Sequence, residues 1–288
     1  MRRTPAVFVT SALVALACGG RAGAAAPTPH RFDSARAWSL VRMQLAYGQR
    51  PAGSPQLQRL AQRLRARLPH GRLEPVAGEP ALQNVVGTIP GRRPGIVIGA
   101  HYDTLAKPDG FVGANNGAAG TAVVVEVARA LAAAKPKRGA REIRFVLFDG
   151  EEPPTGLPED SPDFEQSGLR GSRAYLSAHP GRTAAMVLLD YVGNKGLSLP
   201  REANSTPSLW RRLRSSARSV GADGYFPAGT GSPFLDDHTP FLRAGVPAID
   251  LIDSDYEGHD VSDTLDKLSQ RSLDAVGETV VALALELR

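Results

Sequence analysis

Four apolar runs that lead into acidic residues or histidine limit the folds that this chain can adopt. They occupy residues 96–100, 143–148, 186–189 and 246–252. Continuous apolar strands separated by helices are typical of a parallel or mixed sheet that helices cover on both faces. We therefore expect an α/β fold, a three-layer α/β/α sandwich with a mixed, mainly parallel central sheet.

The segments around these runs complete the predicted architecture. Apolar residues recur at helical spacing in the ranges 32–47, 56–68, 117–134, 171–178, 208–220 and 272–287, and one more β-rich run lies at 84–89. No internal repeat is visible, so residues 31–288 are predicted to form a single α/β domain.

The first thirty residues have the composition of an export signal. Arg2 and Arg3 precede an apolar stretch at 6–17, and small residues follow at 22–26. This order is typical of a secretory signal peptide, and the apolar part is too short to span a membrane. We therefore predict that residues 1–30 are a signal peptide and that the protein is exported, to the periplasm or outside the cell. No transmembrane span is expected in the mature chain.

Two cleavage hypotheses remain open for this signal. The sequence AGA at 22–24 suits ordinary signal peptidase. The sequence ALAC at 15–18 resembles the bacterial lipobox, in which Cys18 would become a lipid anchor and the protein a membrane-anchored lipoprotein. Cys18 is the one cysteine of the chain, which excludes an intramolecular disulfide and a zinc site built from several cysteines.

The positive charge of the chain does not indicate a nucleic-acid partner. Cleavage after Ala24 would remove Arg2, Arg3 and Arg21 and lower the net charge from +5 to +2. Most of the other arginines are scattered, and the modest cluster at 59–67 suits a solvated helix face. Residues 232–266 are instead rich in acids, so chemistry is expected there.

Ionisable residues at the ends of the predicted strands suggest a metal site. Catalytic zinc is held by about three protein ligands from histidine and carboxylates, with one position left open. Glu152 and His259 are candidate ligands, and Glu151 can handle protons beside the open position.

Long motifs resemble the family of zinc aminopeptidases and glutaminyl cyclases. They are IGAHYDT at 98–104, LFDGEE at 147–152, GSR at 171–173, and a histidine at 259 followed by DTLDK at 263–267. FDG at 148–150, LLDYVG at 188–193 and DDHTPFLRAGVP at 236–247 favour the glutaminyl-peptide cyclotransferase branch. The resemblance extends from Phe32 to the last helix and implies a zinc-aminopeptidase-like fold for a single catalytic domain.

The resemblance implies specific roles for residues of this sequence. One zinc ion would be held by Glu152, His259 and the residue at position 116, while Glu151 would act as general acid and base. Asp236 and Asp190 would form a hydrogen-bond network around Glu151. The substrates would be peptide or protein N-termini, in which a glutaminyl residue is converted to pyroglutamate with release of ammonia.

This sequence departs from the family pattern at the predicted metal site. Asn116 stands where the family has an aspartate ligand, and a neutral amide oxygen would hold zinc more weakly. Gly258 stands where cyclases usually have tryptophan, and Asp260 where threonine is common, so a more open and more acidic pocket is expected. Tyr256 and Asp250 are predicted to line the substrate pocket.

Two other functions stay open at this point. In a zinc aminopeptidase two zinc ions would be expected, with His101, Asp103 and Asp190 at the metals; in a one-metal cyclase, His101 and Asp103 would instead support the ligands. Asn116 is a poor bridge between two zinc ions, which counts against the aminopeptidase. The third hypothesis is a catalytically weakened protein that binds peptide N-termini without turnover.

Overall fold

A computed structural model describes residues 30–154 and 163–288. The predicted signal peptide, apart from its last residue, lies outside the described residues, and so does Cys18. Within the described ranges, no helix combines the length and the apolar character that a membrane crossing requires.

Six strands form one sheet in the order β1-β2-β4-β3-β5-β6. Their bounds are β1 Arg72–Val76, β2 Glu79–Ile89, β3 Arg92–His101, β4 Arg141–Phe148, β5 Thr183–Leu189 and β6 Ala248–Leu251. The strands β4, β3, β5 and β6 are neighbours in the sheet and pair in parallel, whereas β2 pairs antiparallel with both β1 and β4. The predicted mixed, mainly parallel sheet is confirmed.

Helices cover both faces of the sheet. Their bounds are α1 Ser34–Leu45, α2 Pro55–Arg65, α3 Gly120–Ala133, α4 Phe164–Ser167, α5 Arg170–Ala178, α6 Pro207–Ser219, α7 Thr239–Arg243 and α8 Gln270–Leu287. Alternate residues of a strand point to opposite faces, and β3 shows this clearly. Ile96 and Ile98 pack in the large core with residues of α1, α2, α3, α6 and α8, whereas Val97 packs in a smaller core with Tyr175 of α5 and Phe241 of α7.

The edge strand β1 is the one strand that the sequence analysis did not predict, and the short helices α4 and α7 were not predicted either. Its residues have the sequence RLEPV, in which only Val76 is fully buried, so no apolar pattern marks it. Pairing with β2 stabilises it in the folded protein. A short edge strand with charged residues and a proline also discourages pairing with another chain.

Candidate active site

The parallel strands end beside a cavity of about 270 Å³. Ligands of open α/β sheets bind at this carboxyl edge. Twelve described residues line the cavity: Asn116, Glu151, Glu152, Phe164, Asp190, Tyr191, Pro233, Phe234, Leu235, Asp236, Ile252 and His259. The fold therefore brings all the residues predicted as catalytic or metal-binding to one place.

The glutamate pair follows the end of β4 and is held by Asp103. The Asp103 carboxylate accepts hydrogen bonds from the backbone N–H of Glu151, at 3.4 Å, and from that of Glu152, at 3.2 Å. Asp103 is fully buried, so these contacts are shielded from water. The residue predicted as a support or a second-metal ligand thus orients the backbone of both glutamates.

His101 lies between three carboxylates. Its Nδ1 is 3.5 Å from Asp103 Oδ1 and 3.8 Å from Glu151 Oε2, and its Nε2 is 3.5 Å from Asp190 Oδ1. Burial opposes the charged form of His101, but the nearby carboxylates of Asp103, Asp190 and Glu151 outweigh it and raise the pKa of His101 well above its usual value. The carboxylates at this edge therefore favour the charged form of the His101 imidazole.

The environment of Glu151 favours its protonated form. Burial raises the pKa of the Glu151 carboxyl well above its usual value, and the charge of Glu152 adds to this effect. The residue is 8% exposed and lies in the wall of the cavity. A carboxyl with a raised pKa that faces a cavity is suited to accept and return a proton.

A tight turn places Asn116 at the cavity. It spans Ala114–Ala119, and Gly113 and Gly117 on either side of Asn116 have positive φ angles of 56° and 86°. The buried Asp263 carboxylate accepts a hydrogen bond from Asn116 N at 2.9 Å. Arg50, which is also buried, donates to the carbonyl of Gly113 at 3.1 Å. Two charged side chains therefore anchor the first half of this turn.

The side chain of Asn116 contacts two other residues of the cavity wall. Its Nδ2 donates to Glu152 Oε1 at 2.8 Å and to the Tyr191 hydroxyl at 3.3 Å, whereas its buried Oδ1 has no hydrogen-bond partner. The Tyr191 hydroxyl also forms a very short contact with His259 Nε2. Tyr191 thus joins two of the three predicted metal ligands.

A second buried polar cluster extends behind the cavity. It contains Asp236, His238, Asp250 and Glu202, none more than 4% exposed. The Nε2 atom of His238 lies 3.3 Å from Glu202 Oε2, and its Nδ1 atom lies 3.8 Å from Asp250 Oδ2. Burial, together with the charge of Asp190, raises the pKa of Asp236 to about 6. Asp236 therefore loses its proton at a higher pH than an isolated aspartate does.

Two residues that we predicted in the substrate pocket are placed elsewhere. Asp250 is fully buried in the cluster behind the cavity, because it lies on β6 with its side chain facing His238. Tyr256 does not line the cavity, since its hydroxyl donates to Asp263 Oδ1 at 2.6 Å. Its ring instead packs 5.6 Å from that of Tyr191.

Sequence reasoning missed three residues that shape the site. They are Tyr191, Asp263 and Glu202. Tyr191 and Asp263 fall within the recognised motifs, but nothing in their spacing indicates a contact with position 116. Glu202 is held by backbone N–H groups of Asn204 and Ser205 and contacts His238 only through the tertiary fold.

The donor atoms at the cavity fit a divalent cation. Glu152 offers a carboxylate and His259 an imidazole, and the buried Oδ1 of Asn116 is an acceptor that lacks a partner. A set of nitrogen and oxygen donors of this kind suits zinc. A further group of His101, Glu151 and Glu152 also brings its ligand atoms within 4.8 Å of one another.

Comparisons with known proteins agree with this geometry. The pattern of peptidase family M28 matches residues 84–284. Glutaminyl-peptide cyclotransferase of Bothrops jararaca is 27% identical over 247 residues, covering 73% of this chain and 66% of that protein. The chain thus spans just under two thirds of that relative. Aminopeptidase YwaD of Bacillus subtilis is 28% identical, covering 71% of this chain and 44% of that protein.

A solved structure shows the same similarity. The glutaminyl cyclase of an Acidobacteriales bacterium superposes with a TM-score of 0.78 at 30% identity, covering 90% of this chain and 96% of that one. The resemblance that the sequence motifs indicated is confirmed.

Proposed function

Because the chain belongs to peptidase family M28, we propose that it is a glutaminyl-peptide cyclotransferase, which converts N-terminal glutaminyl residues to pyroglutamate. The observation that carries this proposal is one cavity lined by Glu151, Glu152, Asp190, Asp236 and His259. The family resemblance assigns proton transfer to Glu151, metal binding to Glu152 and His259, and the hydrogen-bond network around Glu151 to Asp190 and Asp236. The similarity to glutaminyl cyclases supports the same activity.

The reaction closes a ring within the substrate. The α-amino nitrogen of the N-terminal glutaminyl residue attacks the carbonyl carbon of its own side-chain amide. A carbon–nitrogen bond forms and closes the five-membered lactam, while the bond to the amide nitrogen breaks and ammonia leaves. One proton must move from the attacking amine to the departing nitrogen.

Glu151 is placed to move this proton. Its carboxylate accepts the proton from the α-amine and then delivers it to the leaving nitrogen. The charged His101 beside it stabilises the ionised carboxylate, whereas burial and Glu152 favour the protonated form. Opposing influences of this kind let one carboxyl serve as base and then as acid. Asp103 keeps the pair oriented through both backbone N–H groups.

The rest of the cavity suits a peptide N-terminus. Acidic side chains in its wall attract a cationic α-amine. Phe164, Phe234, Leu235 and Ile252 provide apolar contacts and limit the access of water.

A single zinc ion would be held by Asn116, Glu152 and His259. When bound, zinc polarises the side-chain amide carbonyl of the substrate. Asn116 contributes no charge, so this donor set carries one negative charge fewer than a set with aspartate.

Ammonia release from a glutaminyl peptide, measured together with the zinc content of the purified protein, tests this function. We expect ammonia and one zinc per chain, and no amine from an aminoacyl anilide. Absence of ammonia release from zinc-loaded protein would contradict the proposal.

One observation favours a second candidate, a zinc aminopeptidase. His101, Glu151 and Glu152 bring their ligand atoms close enough to hold a metal ion, which would be a second ion beside the one at His259. The Bacillus subtilis aminopeptidase is also a relative. The uncharged Asn116 is a poor bridging ligand for two zinc ions. In the same assay, amine release with two zinc ions would identify this activity, and neither activity would identify a weakened protein that binds peptide N-termini.

Export remains part of the proposal, because its signal falls within residues 1–30. The N-terminal mass of the mature protein tests it. A chain beginning at Ala25 indicates ordinary signal cleavage, and a lipidated chain beginning at Cys18 indicates a membrane-anchored lipoprotein. An uncleaved N-terminus would contradict export through this signal.

A further inference from the structure

We propose that the phenol oxygen of Tyr191 is a direct ligand of the zinc ion and supplies, as phenolate, the negative charge that Asn116 lacks. This inference rests on the zinc site of the proposed function and changes one member of its donor set, with Tyr191 in place of Asn116. On coordination, the oxygen–metal bond forms while the O–H bond breaks, and the proton leaves to solvent. The site then consists of Glu152, His259 and Tyr191, with Asn116 beside them.

The position of the Tyr191 hydroxyl is the first argument. It contacts His259 Nε2 directly and lies 3.3 Å from Asn116 Nδ2, so it is placed between two predicted ligands. The residue is 6% exposed and its side chain lines the same cavity as Glu152. An oxygen donor in this place can reach the same ion as His259 Nε2.

The orientation of the Asn116 amide is the second argument. Its Nδ2 donates to Glu152 Oε1 at 2.8 Å and therefore supports a ligand, as an outer hydrogen-bond partner does. A neutral amide cannot replace the charge of a carboxylate. A phenolate restores two negative charges among the groups around the ion, the number that an aspartate and a glutamate would provide.

The backbone and the neighbours of Tyr191 provide the third argument. Tyr191 has a φ of 45°, a left-handed conformation that is costly for a bulky residue and is found where function demands it. A hydrogen bond from its N–H to Asp190 Oδ1, at 2.8 Å, supports this conformation.

Gly258 makes room for the ring of Tyr191. A Cβ atom at Gly258 would lie 2.9 Å from Cε1 of Tyr191 and 2.9 Å from the ring of Tyr256. Any larger residue at position 258 would push against both rings. The amide at 116, the tyrosine at 191 and the glycine at 258 therefore suit one another as parts of a single site.

The test compares Tyr191→Phe with the matched variant Tyr256→Phe. Both remove one hydroxyl and keep the ring, but the Tyr256 hydroxyl bonds to Asp263 and not to a predicted ligand. Calorimetric titration of the metal-free proteins with zinc should show more than about 100-fold weaker binding for Tyr191→Phe, beyond the effect expected of an outer-shell partner. Tyr256→Phe should stay within about tenfold of wild type.

Copper provides a spectroscopic readout that an indirect role would not change. Cu²⁺-loaded wild type and Tyr256→Phe should show a phenolate-to-copper charge-transfer band in the visible spectrum, and Tyr191→Phe should not. The double variant Tyr191→Phe with Asn116→Asp should recover zinc affinity without recovering the band. This rescue separates lost coordination from misfolding.

The outcomes also separate this inference from the proposed function. Wild type that binds zinc and releases ammonia but shows no charge-transfer band overturns the Tyr191 ligand alone. A band that persists in Tyr191→Phe does the same. Wild type that binds no zinc and releases no ammonia contradicts both.

Discussion

Glu151 carries the proposed proton transfer, and its replacement tests that role directly. Glu151→Gln keeps the shape of the side chain but can neither accept nor return a proton. We expect kcat for ammonia release to fall by at least about 100-fold, while the zinc content stays unchanged. Steady-state kinetics and metal analysis of the same preparation measure both quantities.

Glu257→Gln is the control for this variant. It makes the same chemical change at an exposed position near the site. It should retain wild-type turnover. Full activity in Glu151→Gln would show that another group moves the proton.

Asp149 links the stability of the metal-free protein to pH. Burial, and secondarily the charge of Asp103, raises the pKa of Asp149 from 3.8 to about 7. The pKa of Asp149 is higher in the folded chain than in the unfolded chain. Its contribution to the free energy of unfolding is therefore complete below about pH 4 and is lost as the pH rises to about 7. The asparagine in Asp149→Asn does not titrate, so this variant should not lose that stability as the pH rises from about 4 to about 7. The difference between its free energy of unfolding and that of wild type should therefore increase by on the order of 4 kcal/mol.

Chemical denaturation at several pH values measures this difference. Asp109→Asn, which removes an exposed carboxylate, is the control and should give a curve parallel to wild type. Parallel curves for Asp149→Asn and wild type would mean that Asp149 ionises alike in the folded and unfolded chains.

Among the elements, the turn from Ala114 to Ala119 depends on a glycine in the left-handed region, at Gly117. Gly117 has a φ of 86°, and a Cβ there would lie 2.7 Å from the carbonyl oxygen of Asp103. Gly117→Ala should therefore lower the free energy of unfolding by about 1–3 kcal/mol. It should also weaken zinc binding, because the strain displaces Asn116.

Gly224→Ala provides the comparison for this turn. A Cβ at Gly224 meets no atom within 4 Å. Denaturation of the two variants should separate them clearly, and equal stabilities would show that the turn relaxes without cost.

For the molecule as a whole, zinc should stabilise the fold through mass action. The predicted ligands come from the turn before α3, the end of β4 and the loop after β6, so only the folded chain brings them together. Free zinc at 100 times its Kd should raise the free energy of unfolding by about 2.7 kcal/mol. At the same zinc concentration, the free energy of unfolding of Asn116→Asp should increase more than that of wild type.

Thermal unfolding at graded zinc concentrations measures this effect. Mg²⁺ is the matched control, because it prefers six oxygen ligands and should shift the midpoint little. An unfolding midpoint that does not depend on zinc would contradict a folded-state zinc site.

The α/β architecture, and the edge of the sheet at which the site lies, could be predicted from local sequence patterns. Apolar periodicity is a local property, and parallel strands necessarily end together, so the strands before His101, Glu151 and Asp190 predicted their proximity. The sequence motifs also indicated the family that the chain resembles. The edge strand Arg72–Val76 escaped prediction because its partner strand, and not its own pattern, stabilises it.

The contacts between side chains inside the site follow from the folded arrangement and could not be predicted from local patterns. The fold placed the Tyr191 hydroxyl against Asn116 and His259, 75 and 68 positions away in the chain. It also buried Asp250 behind the cavity and turned the Asn116 amide toward Glu152. Such contacts depend on how distant segments pack and on which donors find acceptors once water is excluded, and no local pattern records that.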